Sequence, residues 1–134
     1  MMGFIIFSLL FLFPPLVPGT GDPEKPVQAQ LDAYNRRDID AFIEPYAEDV
    51  KVFNFPDELL YEGKTNMRDV YARFFGNTPE LHCHLENRMV LGNTVIDHEK
   101  VTLAKDQPPL RAIAIYKIRD GKIAEVYFIR DKSK

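Results

Sequence analysis

Apolar positions recur along this chain with two periods, and the change from one to the other divides it. From Pro26 the spacing is helical: Val27, Leu31 and Tyr34 fall at i, i+4 and i+7, and Pro26 suits the first residue of a helix. Asp38 is placed to cap a second helix with Ile39, Phe42, Ile43 and Tyr46 on one face. Pro45 removes a backbone donor there, so that helix should stop or kink near Glu44. Val50–Phe55 alternates, with Val50, Val52 and Asn54 to one side and Lys51, Phe53 and Phe55 to the other. A third helix is predicted over Thr65–Phe75, capped by Thr65, striped by Met67, Val70, Tyr71 and Phe74, and stopped by Gly76. Strands are then predicted near Leu81–Leu91, Thr94–Ala104, Leu110–Arg119 and Lys122–Arg130. The order α-α-β-α-β-β-β-β describes an α+β domain: a curved antiparallel sheet packed against three N-terminal helices, an arrangement suited to enclosing a pocket.

The last two strands flank Arg119-Asp120-Gly121, a strong hairpin signal. The turn type decides which side chains share a face, because a one-residue slip inverts every one of them. A three-residue turn with Gly121 in the left-handed bulge position groups Ala112, Ala114, Tyr116, Ala124, Val126, Phe128 and Arg130. Three alanines on that side leave the space a concave wall needs. The opposite side collects Ile113, Ile115, Ile123, Tyr127 and Ile129, a patch most simply covered by a second copy of the chain, so a homodimer is expected.

The 134 residues give room for one domain, and with 46% hydrophobic and 28% charged residues the composition is that of an ordinary globular protein. Net charge is −3 without a basic block, which argues against a nucleic-acid partner. Met1–Val17 is almost wholly apolar around Phe4–Phe13, too short to span a bilayer but of signal-peptide length. Pro14-Pro15 ends that segment, and Gly19-Thr20-Gly21 offers a small-x-small cleavage site before Asp22. Residues 1–21 are therefore read as a signal peptide, 22–25 as a linker and 26–131 as the domain, with a secreted or extracytoplasmic location and no membrane span in the mature chain. The n-region carries no Lys or Arg, so a retained anchor or a misassigned start, which would leave the protein cytoplasmic, are the alternatives. Cys83 is the single cysteine; no internal disulfide can form, and it reads as a small buried hydrophobe.

Two segments, YNRRDIDAFIEPYAEDVKVFNFP at Tyr34–Pro56 and IYKIRDGKIAEVYF at Ile115–Phe128, resemble the nuclear-transport-factor-2-like superfamily, and within it the SnoaL-like polyketide-cyclase and ketosteroid-isomerase branch. The resemblance covers about Pro26–Asp131 and implies a cone-shaped fold that hosts isomerases, cyclases, epoxide hydrolases and non-catalytic modules alike. Ketosteroid isomerases use an aspartate base with a tyrosine and a protonated aspartate as oxyanion donors. Aligned on Asn35, Asp49 and Gly121-Lys122, those positions fall here at Asn54, Gln30 and Ala114, so that mechanism is not implied. Limonene-epoxide hydrolases are matched at Asn54-Phe55-Pro56, but their tyrosine falls at Val52 and their charged triad has no clear counterpart.

The same resemblance points the face of Val95, Asp97, Glu99 and Val101 into the cone. Asp97 and Glu99 stand ~6.5–7 Å apart along the strand. Burial and mutual repulsion would raise one pKa and leave the other carboxylate ionised, an acid/base pair. The alternative is an ion-paired or solvated strand with Lys100, Lys117 or Arg130 nearby; Arg88 is open to either a core salt bridge or a ligand clamp. Asn54 and Tyr116 are candidate hydrogen-bond donors to a ligand, and Arg130 a third ligand-binding side chain. His82, His84 and Glu86 share a strand face in a His-x-His pattern but lack an obvious fourth ligand, so no metal is expected; His98 should face outward. The expectation is a pocket protein that binds a small, largely apolar molecule; if it is catalytic, it is a cofactor-independent isomerase, cyclase, hydratase or hydrolase that uses carboxylate acid/base chemistry. The rival is a non-catalytic binding or assembly module that uses the outer sheet face.

Overall fold

A computed structural model describes residues 21–131; the proposed signal peptide lies outside them but for Gly21. Helix α1 (Glu24–Arg36) and the short α2 (Ile39–Ile43) lead into strands β1 (Tyr46–Asn54) and β2 (Glu58–Glu62). Helix α3 (Lys64–Asn77) then precedes β3 (His82–Leu91), β4 (Thr94–Thr102), β5 (Leu110–Arg119) and β6 (Lys122–Arg130). The order is thus α-α-β-β-α-β-β-β-β. Strand β2 was not anticipated: it has only five residues, shows no alternation of apolar and polar positions, and owes its conformation to pairing with β1.

The six strands run β2-β1-β6-β5-β4-β3. Neighbours are antiparallel except β1 and β6, which are parallel, with α3 and four strands between them in the chain. The sheet is open, with β2 and β3 at its edges. Among the described residues no helix is long and apolar enough to cross a membrane.

Local signals act mostly where they were read. The Asp38 side chain accepts from the Ala41 backbone N–H at 3.2 Å and caps α2, which ends two residues before Pro45. Helix α1 begins earlier than the linker allowed, at Glu24, with the Asp22 carboxylate accepting the Glu24 N–H at 2.9 Å. Thr65 does not cap α3; Gly63, at φ 91°, starts it, and the helix runs through Gly76 to Asn77. Asn35, on the inner side of α1, docks the helix to β3: its amide donates to the Cys83 carbonyl at 3.0 Å and accepts the Cys83 N–H at 2.8 Å. Tyr34, Phe42, Tyr71 and Phe75 pack edge-on and tilted at 4.4–6.4 Å between the three helices.

The β5–β6 turn differs from expectation. Arg119 pairs directly with Lys122, and Asp120 and Gly121 both have positive φ (51° and 75°), the signature of a two-residue type I′ turn. The irregularity sits further along. Ile118 pairs with Ile123 but Lys117 with Glu125, so Ala124 is the extra residue of a bulge inside β6. That bulge restores the grouping of Tyr116 with Val126, Ala114 with Phe128 and Ala112 with Arg130. It also turns Ile123 inward, where it is fully buried against Ile118, correcting its outward assignment.

The outer face carries one continuous apolar row. Met89, Ile96, Ile115, Tyr127, Phe53 and Leu59 are cross-strand partners in succession across all six strands. Phe53 and Tyr127 stack within it at 4.7 Å, nearly parallel.

Candidate functional site

The inner face of the sheet and the helices enclose a cavity of about 900 Å³. Its floor is set by buried polar side chains and its mouth by exposed ones. At the floor, Tyr46 on β1, Gln30 on α1, Tyr116 on β5 and Glu99 on β4 form one hydrogen-bonded chain. The Tyr46 hydroxyl donates to Gln30 Oε1 at 3.2 Å, Gln30 Nε2 donates to the Tyr116 hydroxyl at 3.2 Å, and that hydroxyl donates to Glu99 Oε1 at 3.4 Å. Burial raises both phenol pKa values well above normal, so they remain donors. The chain is directional and ends on Glu99.

Glu99 is 7% exposed, lines the cavity, and has its pKa raised to about 7, first by burial and second by the charge of Asp97. At neutral pH it is divided between acid and carboxylate, so it can give or take a proton. Cys83 lines the cavity with it; burial pushes the thiol upward, which leaves it protonated and a poor nucleophile.

The expected carboxylate pair is divided by its surroundings. Asp97 is wholly buried and does not line the cavity. Arg88 on the neighbouring strand holds it in a bidentate pair, Nε to Oδ1 at 2.7 Å and Nη2 to Oδ2 at 2.9 Å. The Arg88 guanidinium is itself fixed by Gln28 Oε1 at 2.9 Å. Asp97 therefore acts on the cavity through its charge. Its partner is Arg88, and not Lys100, Lys117 or Arg130.

Asn54 and Arg130 stand together at the mouth. Arg130 Nη1 donates to Asn54 Oδ1 at 3.0 Å, and the guanidinium lies 4.6 Å above the Phe128 ring. Glu99, Ala112 and Arg130 occupy one row across β4, β5 and β6. Of the three alanines expected to open the wall, only Ala112 lines the cavity; Ala114 and Ala124 are buried in packing. Tyr116 is at the floor, engaged by Gln30 and Glu99. His82, His84, Glu86 and His98 are exposed. Among the described residues no three His, Cys, Asp or Glu side chains cluster as a metal site.

Gln30 and Tyr46 were not foreseen as members of this site. A signal for Gln30 was present: it lies at i+3 in the Val27, Leu31, Tyr34 stripe, a polar side chain on an apolar face, and is 4% exposed. In the sequence Tyr46 carries only the spacing of a helix-face hydrophobe, and its role depends on β1 beginning there.

A family model described as a SnoaL-like domain matches residues 27–126. No curated protein matches the chain significantly. Among solved structures, an uncharacterised cystatin-fold protein of Novosphingobium aromaticivorans is 26% identical, with a TM-score of 0.75 over 82% of this chain and 99% of that one. An LEH-like epoxide hydrolase of M. tuberculosis superposes with a TM-score of 0.70 at 15% identity, covering 81% and 82% of the two chains. A putative polyketide cyclase of Sinorhizobium meliloti does so at 0.68 and 19% identity, covering 81% and 100%.

Proposed function

We propose a function from one premise: this chain belongs to the SnoaL-like domain family. Its cone binds a small, largely apolar molecule, and Glu99 acts on that molecule as general acid or base without a cofactor. The observation that carries this reading is Glu99 itself, a buried carboxyl group facing the cavity with a pKa near 7 and one oxygen engaged by Tyr116. Such a group suits proton transfer at carbon or addition of water. The epoxide hydrolase and the putative polyketide cyclase of similar fold are compatible with either, and neither transfers its chemistry at under 20% identity. Asp97 contributes by its charge; Asn54, Tyr116 and Arg130 contact the ligand.

The test is deuterium exchange. Cyclic ketones and enones incubated with the protein in D2O should exchange at the carbon next to the carbonyl, followed by proton NMR. Glu99→Gln should slow this by about a hundredfold or more, the usual contribution of a positioned base. Equal rates for the two proteins, or no exchange above buffer, would leave a non-catalytic binding module.

A homodimer is part of the same reading. The row from Met89 to Leu59 supports it, since an apolar strip spanning a whole sheet face is the kind of surface a second copy covers. In the non-catalytic alternative this face is the functional surface.

A further inference from the structure

We infer that the ligand carries a carboxylate, bound by Arg130 at the mouth of the cone across Ala112 from Glu99. This deepens the proposed function and rests on the cone being a ligand site. The register makes the arrangement. Glu99 pairs with Ala112, and Ala112 with Arg130, so the acid and the cation project from one inward row of three adjacent strands. Their Cα atoms are two strand spacings apart, roughly 10 Å. Between them stands a methyl group, and Ala112 lines the cavity at that point. The sheet thus presents a buried proton-exchanging group and a cation facing one cavity from the same row.

Arg130 is held as a binding residue would be. Asn54 fixes Nη1 and the Phe128 ring supports the guanidinium plane, yet Arg130 makes no ion pair among the described residues. Glu58 and Asp131 line the same mouth, and neither approaches within salt-bridge distance of it. A guanidinium has five N–H donors, of which Asn54 takes one, so an unused pair remains for the two oxygens of a carboxylate. The charge also bears on the cavity interior, where it partly offsets the raised pKa values of Tyr34, Tyr61 and Tyr71. Between mouth and floor the walls are apolar and aromatic, among them Phe74, Val101, Leu103 and Phe128. The occupant that fits is a small monocarboxylate with an apolar body, its carboxylate outward on Arg130 and its carbon skeleton reaching toward Glu99.

The experiment compares two probes that share a body and differ in the head group, decanoate and 1-decanol, titrated calorimetrically into wild type, Arg130→Gln and Arg130→Lys. Wild type should bind decanoate about tenfold tighter than decanol, the scale of one charge-assisted contact. Arg130→Gln should abolish that preference, with decanoate losing far more affinity than decanol and the protein still folded by circular dichroism. Arg130→Lys should retain part of it, since the charge stays and the two-pronged geometry goes. If wild type binds both probes equally, or Arg130→Gln keeps the preference, the carboxylate assignment is wrong and the ligand-binding cone stands. If neither probe binds at millimolar concentration, the assignment and the ligand-binding reading both fail.

Discussion

Arg88 grips Asp97 with two prongs of its guanidinium, at 2.7 and 2.9 Å, and so holds a buried negative charge on the same strand face as Glu99. The two carboxylates are two residues apart, yet only one faces the cavity. Asp97 is wholly enclosed, and its charge adds to burial in raising Glu99 to a pKa of about 7. The ion pair and the site are thus electrostatically one unit.

Asp97→Asn should lower the Glu99 pKa, because the second cause of its elevation is removed. The value should stay above 4.5, since burial is the larger cause and remains. Carbon-13 NMR titration of the glutamate carboxyls measures this. A Glu99 pKa unchanged by Asp97→Asn would show that the two groups do not sense each other.

Arg88→Met should be the more damaging change. It leaves Asp97 buried without its counter-charge, at a cost of about 3–5 kcal/mol. Removing both partners, in Arg88→Met with Asp97→Leu, should recover much of that loss, as read by urea denaturation.

Stability should depend on pH through Glu99, and the sign follows from the raised pKa. Between about 4.5 and 7 the folded state keeps the proton that the unfolded state releases, so stability falls as pH rises through this window and levels off above it. The shift corresponds to about 3 kcal/mol. Glu99→Gln has no charge to bury, so it should be more stable than wild type at pH 8 and close to it at pH 4.5. Thermal melts at the two pH values give the comparison; parallel curves for the two proteins would refute it.

Ile115 sits in the middle of the outer apolar row, between Ile96 and Tyr127. Ile115→Lys should convert a dimer to monomer while leaving the cavity intact, because an unpaired ammonium group in an apolar interface is costly. Analytical ultracentrifugation of both proteins decides it, and a wild-type protein that is monomeric at high concentration removes the interface.

Residues 1–20 lie outside the described part of the chain, and export is proposed from their sequence. Protein recovered from a host that processes signal peptides should begin near Asp22, with an intact mass lower by about twenty residues. Full-length protein in the soluble cytosolic fraction would contradict it.

Much of this protein was legible in its sequence because local physics determines it. The 3.6- and 2-residue periods located eight of the nine elements, the Asp38 cap and Pro45 bounded α2, and alternation alone put Glu99 and Asp97 on one face and His98 on the other. Local signals missed only at helix ends, at Thr65, Gly76 and the start of α1; the larger failures depend on distant partners. Strand β2 exists because β1 offers it an edge. The type I′ turn and the bulge at Ala124 exchange one irregularity for another at the same residue count, and only pairing along β5 tells them apart. The separate fates of Asp97 and Glu99 were undecidable along the strand. They turn on Arg88 arriving from β3 and on Gln30, Tyr46 and Tyr116 arriving from α1, β1 and β5. Burial and charge are properties of the assembled neighbourhood, so a side chain's proton affinity belongs to the tertiary structure even where its position belongs to the sequence.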